Sequence, residues 1–475
     1  MVMKIALIMM KYPNQNMRNK MSNNKIDIGF DYWDQSQKKI IQWDEEKVSN
    51  YHIGVFGTSG SGKTHWIRKF IHGLSSNNSN IEFDILDYHG DIEIEDAKSV
   101  LFSESTRYGF NPLVLNTDPH YGGVRRTIND LLESMNDTAR KLGTSQEGVL
   151  RNLLIDTYMY RGIFADNPRS WDKRNVSESE LKSYIEKRDW NSVRECYPTL
   201  NDVVTLGTRK LKALWLGIED KENGRKALLA FEDFCRTASQ VTSLRTKSSR
   251  TANKDDIDKL EAKLEKSKSQ AIEYYSEFIN KVENGREFDE LIKYNSKDVL
   301  LGVINRLENL IALGIFNPNP PPFGESKKRR YILKPLASSE DELKMFVYQI
   351  LKRIIREERQ KGEYDGLRRL IVLDESKKFN TESPSNPINI IANEMRKFGL
   401  GILLAGQSPS HVSNDFIINA GTILLLNLST ADWDNAARKL KIDPKMMKYF
   451  KPQQTGAVRL MEKGQQPAFK QISFS

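Results

Sequence analysis

The sequence predicts an α/β protein whose core is a doubly wound, largely parallel sheet interrupted by a long helical insertion. Short, continuously apolar segments such as "HIGVF" (residues 52–56) and "LIVL" (residues 370–373) are typical of strands covered on both faces. Such segments alternate with helical segments near both ends of the chain, which favours a parallel sheet. Between residues 119 and 325 the apolar residues instead recur mostly at spacings of three and four, the period of packed helices.

This pattern divides the chain into four segments. They are a leader with a short β-hairpin (1–50), the first part of the core (51–118), the helical insertion (119–325) and the second part of the core with a C-terminal hairpin (326–475). Within the insertion, apolar residues recur at steps of seven from Ile257 to Phe278, which predicts a helical hairpin near residues 220–300. A solvated helix that lies on the core is the alternative.

Composition narrows the class of protein. The 475 residues are enough for two or three domains, and the net charge of +9 allows a polyanionic partner without requiring one. Two cysteines, Cys196 and Cys235, are too few and too far apart for a disulfide framework or a zinc cluster, as in proteins of a reducing compartment. The N-terminal apolar run, residues 5–10, is too short for a signal peptide or a membrane anchor. We therefore expect a cytoplasmic protein that does not associate with a membrane.

A glycine-rich segment between a predicted strand and a predicted helix indicates a nucleotide site. Residues 57–64, "GTSGSGKT", match G-x-x-x-x-G-K-[ST], in which glycines allow successive backbone N–H groups to face phosphate oxygens. Lys63 is expected to bridge the β- and γ-phosphates of ATP, and the Thr64 hydroxyl to bind Mg²⁺. A glycine-rich turn without a ligand is the alternative. The residues predicted to contact the nucleotide are Gly57, Thr58, Ser59, Gly60, Ser61, Gly62, Lys63, Thr64 and His65.

An Asp-Glu pair at the end of an apolar strand is the predicted partner of this loop. Asp374 can hold Mg²⁺ together with Thr64, and Glu375 can polarise the attacking water. Acidic residues after a strand are common, so the pair is informative because a phosphate-binding loop accompanies it. An adjacent Asp-Glu pair also suggests the P-loop class in which one strand separates the two motif strands. The candidate for that strand is "LGILLAGQ", and Gln407 at its tip would contact the γ-phosphate or the water, unless it is an ordinary polar residue at a strand end.

The segment "NEMRKFGLGILLAGQSPSHVS" (residues 393–413), preceded by "LIVLDESKKF", closely resembles the HerA/FtsK superfamily of ring-forming motors. The turn "DILDYHGD" and the segment "YGFNPL" also look like sequences of this superfamily and of conjugative secretion ATPases. The resemblance covers residues 50–115 and 330–475, to within a few positions. It implies a RecA-like core, a homohexamer, ATP and Mg²⁺ as cofactors, and double-stranded DNA threaded through the pore.

The same resemblance implies a role for Arg396. This arginine lies eleven residues before Gln407, the separation at which the similar motors place a finger arginine and a sensor glutamine. Arg396 would then act on the γ-phosphate bound by a neighbouring subunit, beside Lys63, Glu375 and Gln407 as the other catalytic residues. The alternative is a surface pair, Arg396 and Lys397, that favours a helix C-terminus.

Soluble HerA-like motors are the expected relatives, because FtsK and the conjugative coupling proteins are membrane anchored. HerA proteins usually begin with a β-barrel, and the fifty-six residues before the P-loop are too few for that module. HerA-like members often work beside a nuclease in end resection or phage defence, which implies a nuclease or another effector as the partner. We expect a ring-forming motor that translocates on or remodels double-stranded DNA. The alternatives are a regulatory ring that licenses a partner enzyme, and a secretion-type motor.

Two basic clusters are candidates for contact with DNA. The segments "ESKKRR" (residues 325–330) and "ESKKF" (residues 375–379) concentrate lysine and arginine, which can bind phosphates or simply be solvated. The sequence shows no base-reading motif, so DNA binding is expected to be independent of DNA sequence.

Overall fold

The structure, a computed structural model, describes residues 25–34, 39–216, 222–247, 254–280, 293–294 and 296–474. The predicted leader falls largely on residues 1–24, and the connection within the predicted helical hairpin falls on residues 248–253. Both lie outside the described residues.

The strands of the described chain form one eleven-stranded sheet. They are β1 (Lys25–Asp31), β2 (Ile40–Asp44), β3 (Ile53–Phe56), β4 (Glu82–Asp87), β5 (Lys98–Leu101), β6 (Lys328–Ile332), β7 (Arg369–Leu373), β8 (Leu400–Gly406), β9 (Thr422–Leu425), β10 (Thr455–Leu460) and β11 (Phe469–Ser473). Their order across the sheet is β2-β1-β11-β10-β9-β3-β8-β7-β4-β6-β5.

The strands from β9 to β5 are parallel and form the centre of the fold. β8 lies between β3, which precedes the glycine loop, and β7, which precedes Asp374. Every residue of β3, β7, β8 and β9 is buried, because both faces of this part of the sheet are covered. The predicted α/β class, with an extra strand between the two motif strands, is confirmed.

Both ends of the described chain add antiparallel strands to one side of the sheet. Ser473 of β11 lies opposite both Phe30, near the end of β1, and Thr455, the first residue of β10. β10 is antiparallel to β9, and β9 is parallel to β3, with Leu425 opposite Phe56. The end of β1 and the start of β10 therefore lie at the edge of the sheet where β3 ends.

Most of the α-helices of the described residues pack on the two faces of the sheet, whereas α7 and α8 pack on each other. They are α1 (Lys63–Asn77), α2 (Val124–Thr138), α3 (Thr144–Tyr160), α4 (Glu178–Glu186), α5 (Trp190–Arg194), α6 (Leu200–Leu216), α7 (Glu222–Lys247), α8 (Lys254–Asn280), α9 (Lys297–Ala312), α10 (Glu340–Lys361), α11 (Pro387–Glu394), α12 (Asn414–Asn419), α13 (Trp433–Leu440) and α14 (Pro444–Met447). None of the helices in this described part of the chain combines the length and apolarity needed to cross a bilayer.

Alternating strand residues face two hydrophobic cores. Val372 and Leu403 belong to the core that includes Phe70 of α1. Ile371 and Leu404 belong to the other core, to which α2, α3, α6, α9 and α10 all contribute. This division follows from the two-residue period of a strand. Helices on both sides of the predicted hairpin, α2, α3, α6 and α9, are therefore continuous with the main core.

Helices α7 and α8 pack along each other. Ala227, near the start of α7, is buried against Tyr274 and Phe278, near the end of α8, so the two helices are antiparallel. This small cluster is separate from the two larger cores of the described chain. An ion pair between Lys212 of α6 and Glu232 of α7 (2.8 Å) links the pair to the preceding helix.

A network of buried charges ties β4 to β6 and β7. Asp84 of β4 is fully buried. It accepts hydrogen bonds from Arg329 Nε (2.9 Å), Arg369 Nε (2.6 Å) and Tyr331 Oη (2.9 Å). Burial by itself would raise the pKa of Asp84, but the two guanidinium groups outweigh burial and hold this pKa well below its usual range.

We expect Asp84→Asn to lower the free energy of unfolding by about 3 kcal/mol, because the substitution leaves buried arginine charge without its main partner. Arg369 retains Glu357 (Nη1–Oε2, 2.7 Å), which limits the loss. Because the folded-state pKa is depressed, the carboxylate stabilises the fold above its unfolded-state pKa of about 4. This stabilisation is lost as the pH falls through the folded-state pKa.

Urea titrations at neutral pH and at acid pH measure both effects. Asp258→Asn, at an exposed carboxylate of α8, is the matched control and should leave the midpoint unchanged. A wild-type midpoint at pH 7 for Asp84→Asn would contradict the assigned contribution of the network.

Candidate functional site

The glycine-rich segment forms a tight loop between β3 and α1, which begins at Lys63. Gly60 and Gly62 have φ angles of 75° and 102°, a region that strains residues with a Cβ. A side chain at Gly57 would also clash, because its Cβ would lie 2.5 Å from Ser61 Oγ. These residues therefore allow a compact loop at the N-terminus of a helix, where free backbone N–H groups and the helix dipole attract anions.

The Lys63 ammonium lies inside this loop. Its Nζ donates hydrogen bonds to the carbonyl oxygens of Gly57 (2.7 Å) and Thr58 (3.1 Å). Partial burial lowers the pKa of Lys63, while the negative charges of Asp374 and Glu375 act in the opposite direction. A positive charge is thus held between the loop and the acidic pair, where it can attract a phosphate group.

Asp374 and Glu375 follow β7 at the same edge of the sheet, in different surroundings. Asp374 is buried, and its backbone N–H donates to the carbonyl of Leu86 in β4 (3.2 Å). Glu375 has a φ of 51°, which is uncommon for a residue other than glycine. Its Oε2 lies 3.4 Å from His89 Nε2, at the surface of the site. The left-handed turn at Glu375 therefore separates the buried carboxylate of Asp374 from a partly buried one that lies beside the exposed His89.

Three carboxylates gather at this edge and could hold a cation. Oxygens of Asp87, Asp91 and Asp374 lie within 4.8 Å of one another. Burial raises the pKa of Asp374 to about 6, with His89 opposing the shift and Asp91 and Asp87 adding to it. Thr64 Oγ1 lies 3.5 Å from Asp91 Oδ2. Hard oxygen ligands and a carboxylate that gains from a nearby positive charge fit the predicted Mg²⁺.

Asp87 is already used by the fold. Its Oδ1 accepts a hydrogen bond from the Gly90 backbone (2.7 Å), and its Oδ2 pairs with Arg330 Nη2 (2.7 Å). The backbone N–H of Asp91 also donates to Asp87 Oδ1 (3.2 Å), but Asp91 itself is exposed. Asp374, predicted as a metal ligand, and Asp91, which was not, are therefore the carboxylates free to approach Mg²⁺.

Gln407 and Arg396 lie at opposite ends of β8. Gln407 is exposed and follows Gly406, whose carbonyl accepts a hydrogen bond from the P-loop residue Gly57 (3.1 Å). Arg396 is exposed in a 3₁₀ turn before β8, and its guanidinium forms no hydrogen bond or salt bridge with the described residues. Burial lowers the pKa of His52, which precedes β3, and the positive charge of Arg396 lowers it further. Seven strand residues of about 3.3 Å each separate the two positions by about 23 Å.

His65 lies outside the glycine loop. It is exposed on α1 and lines a cavity of about 590 Å³ with Arg68, His72 and Glu93. The structure thus brings Lys63, Thr64, Asp374, Glu375 and Gln407 to one edge, whereas it places His65 on the flank of that edge and Arg396 at the opposite edge.

The sequence analysis missed a contact to the P-loop from near the C-terminus. Gln453 Nε2 donates to the Gly60 carbonyl (3.1 Å), and the Gln453 backbone N–H donates to the Ser61 carbonyl (3.3 Å). Gln453 has a φ of 60°. It lies 393 positions from Gly60, so no local pattern could have indicated this contact. Asp91, by contrast, belongs to the turn "DYHGD", which was recognised without a role for each residue.

Of the two basic clusters, "ESKKRR" is largely engaged by the fold. Arg329 and Arg330 pair with fully buried aspartates of β4. In "ESKKF", Lys378 pairs with Glu340, whereas Lys377 is exposed beside the acidic pair. Lys377 is therefore a better candidate for contact with an external polyanion than the two arginines.

The P-loop, the acidic pair and the strand between them define the class of protein: it is a P-loop ATPase with a RecA-like sheet. The sequence profile described as "Helicase HerA, central domain" matches residues 35–355, more than half of the chain. The chain belongs to this family, and the resemblance found in the sequence is confirmed. The match includes the helical middle, where the sequence alone showed no resemblance, and it ends before Asp374.

The solved structure of VirB4 agrees with this fold, and structures of TrwB are more distantly similar. VirB4 of Thermoanaerobacter pseudethanolicus is 14% identical, with a TM-score of 0.56 over 95% of this chain and 96% of that one. The plasmid coupling protein TrwB with the ATP analogue ADPNP is 10% identical, with a TM-score of 0.44 over 91% and 90%. TrwB with ADP and Mg²⁺ is 12% identical, with a TM-score of 0.43 over 95% and 94%. No curated protein matches the chain.

Proposed function

We propose that this chain hydrolyses ATP with Mg²⁺ and couples hydrolysis to the movement or remodelling of double-stranded DNA as a homohexameric ring. The observation that carries the proposal is the meeting of the P-loop, Asp374 and Glu375 at one edge of the sheet, with β8 between the two motif strands. Membership of the HerA central-domain family supports the choice of a motor.

Each residue at this edge has a distinct task in ATP hydrolysis. The P-loop backbone and Lys63 bind the β- and γ-phosphates, and Thr64, Asp91 and Asp374 hold Mg²⁺. Mg²⁺, when bound, neutralises charge that develops on the phosphates. Glu375 orients the attacking water and accepts its proton. Gln407, at the tip of β8, contacts the γ-phosphate or that water.

The ring and its partners complete the proposal. Arg396 contributes the finger to the site of the neighbouring subunit, because it is too far from its own P-loop to serve there. A nuclease or another effector is the proposed partner protein, in phage defence or DNA processing. This choice rests on the resemblance to HerA-like motors.

The test measures ATPase activity with and without linear duplex DNA. We expect duplex DNA to stimulate hydrolysis irrespective of its sequence, because lysine and arginine contacts to phosphates carry no base information. Duplex binding should weaken with salt by several orders of magnitude between 50 and 200 mM if about six or more phosphates are contacted. Two duplexes of equal length and different sequence provide the control for specificity.

The results separate the motor from the other readings. A chain that hydrolyses ATP but does not bind duplex at low ionic strength would be a regulatory ring, and co-purification of a partner enzyme would then identify its target. ATP turnover that depends on the sequence of the duplex DNA would contradict the mechanism of contact through phosphates.

A further inference from the structure

Three aromatic side chains from the two ends of the described chain form an exposed cluster. The ring centroid of Trp33 lies 5.0 Å from that of Tyr32 and 5.8 Å from that of Tyr449. In both pairs the ring planes are nearly perpendicular. Tyr32 and Tyr449 are 6.3 Å apart. Trp33 is 69% exposed and Tyr449 is 47% exposed, so each presents a large apolar surface to solvent. Such a surface is typical of a contact site rather than of a core.

Strand β1 brings Tyr32 and Trp33 towards the N-terminus of α1. The backbone carbonyl of Lys25, at the start of β1, accepts a hydrogen bond from the side-chain amide of Asn77, the last residue of α1 (3.1 Å). β1 then runs back along the helix: seven strand residues span about 23 Å and fifteen helix residues about 22 Å. The residues that follow β1 are therefore level with the first turn of α1, where the P-loop ends.

Tyr449 is tied to the P-loop by a second route. The segment between α14 and β10 folds into a compact turn, in which Thr455 Oγ1 donates to the Tyr449 carbonyl (2.6 Å). Within that turn, Gln453 donates to the carbonyls of Gly60 and Ser61. The register of β10, β11 and β1 independently puts the same turn and the end of β1 at one edge of the sheet. Two separate sets of contacts thus place the aromatic cluster beside the phosphate-binding loop.

We propose that Tyr32, Trp33 and Tyr449 form the stacking surface for the base of the ATP whose phosphates the P-loop binds. The inference deepens the proposed function and rests on it. A nucleotide fixed by its phosphates must extend its ribose and base away from the loop, and this cluster offers aromatic faces next to the loop. Gln453 is the positioning residue, because it connects the Tyr449 turn to the loop backbone. A base on this surface covers aromatic area that is otherwise exposed.

The test compares ATP with inorganic tripolyphosphate, which keeps the phosphates and lacks the base. Trp33→Ala and Tyr449→Ala should each weaken ATP binding roughly tenfold, the scale of one base–aromatic stack, and leave tripolyphosphate binding unchanged. Trp33→Phe and Tyr449→Phe should retain most of the affinity for ATP, since both keep a ring. Trp190→Ala, at a 54% exposed tryptophan of α5, is the matched control.

Tryptophan fluorescence gives a direct readout of the same contact. ATP should change the emission of the wild type, tripolyphosphate should not, and Trp33→Phe should remove most of the ATP signal. Both affinities should be measured with Mg²⁺ and with the full chain.

Each outcome decides between the alternatives. Equal weakening of ATP and tripolyphosphate would mean that these residues only shape the P-loop, and unchanged ATP affinity would place the base elsewhere; either result overturns the stacking surface. A wild-type chain that binds neither ligand would instead overturn the proposed ATPase site and the inference with it. Lys63→Ala, which should weaken binding of both ligands, shows that the assay reports on the P-loop.

Discussion

Glu375→Gln will bind ATP and Mg²⁺ with nearly wild-type affinity and hydrolyse ATP about 10²- to 10⁴-fold more slowly, the usual contribution of a positioned general base. The amide preserves the shape of the side chain but cannot accept a proton from the attacking water. The surroundings of Glu375 suit this task, because its partly buried carboxylate lies beside the exposed His89, whereas the neighbouring Asp374 is buried. Single-turnover hydrolysis and equilibrium binding measure the two effects separately.

Asp374→Asn provides the contrast. The substitution should raise the Mg²⁺ concentration needed for half-maximal activity, because it removes one negatively charged ligand from the cluster of carboxylates that also contains Asp91. Glu308→Gln, at an exposed glutamate of α9, controls for the general effect of the substitution. If Glu375→Gln altered the Mg²⁺ requirement and Asp374→Asn blocked only hydrolysis, the two roles assigned to this pair would have to be exchanged.

Arg396→Ala will reduce ATP hydrolysis by about 10³-fold or more, the effect of removing an arginine finger supplied in trans. The geometry explains why the effect depends on a neighbour. Arg396 precedes β8 and the P-loop edge lies beyond its other end, so this guanidinium cannot reach the phosphates bound by its own chain. In the proposed ring of head-to-tail subunits, the same residue would face the next subunit's site.

Mixed rings test this arrangement directly. Lys63→Ala subunits have a defective loop and an intact finger, whereas Arg396→Ala subunits have the reverse. When the two inactive variants are co-expressed in equal amounts, about one interface in four combines an intact loop with an intact finger, if subunits mix at random in a head-to-tail ring. Turnover should recover to about a quarter of the wild-type rate if the sites work independently.

Two comparisons make the mixing experiment decisive. Lys397→Ala removes the adjacent positive charge and should keep most of the ATPase activity. The Lys397 ammonium lacks the forked donor geometry of arginine, and its Nζ lies 3.9 Å from Glu363 Oε1. Full activity of Arg396→Ala by itself, or an inactive mixture whose measured mass shows that mixed rings have formed, would refute the finger in trans.

Local sequence was sufficient for the parts of the site that are built from consecutive residues. A P-loop is eight residues of backbone between a strand and a helix, so the pattern of Gly57, Gly62, Lys63 and Thr64 specifies it almost completely. The apolar strands before Gly57 and Asp374 also predicted that both motifs end at one edge, because parallel strands share a direction. The family relationship was readable for the same reason, since its signatures are contiguous.

Contacts between distant segments were decided by the register of the sheet, which the sequence does not display. Asp91 reaches the candidate metal site, and Gln453 reaches Gly60, only because strands far apart in the chain end together. The basic run "ESKKRR" looked like a candidate for DNA contact, yet β6 lies beside β4, so its arginines neutralise the buried aspartates of β4. The charge of a buried carboxylate has to be matched inside the protein, and which arginine matches it depends on which strands are neighbours. The sequence thus determined the α/β class and the chemistry of the phosphate loop, whereas the tertiary structure decided which remaining charges serve the fold and which are left for a ligand.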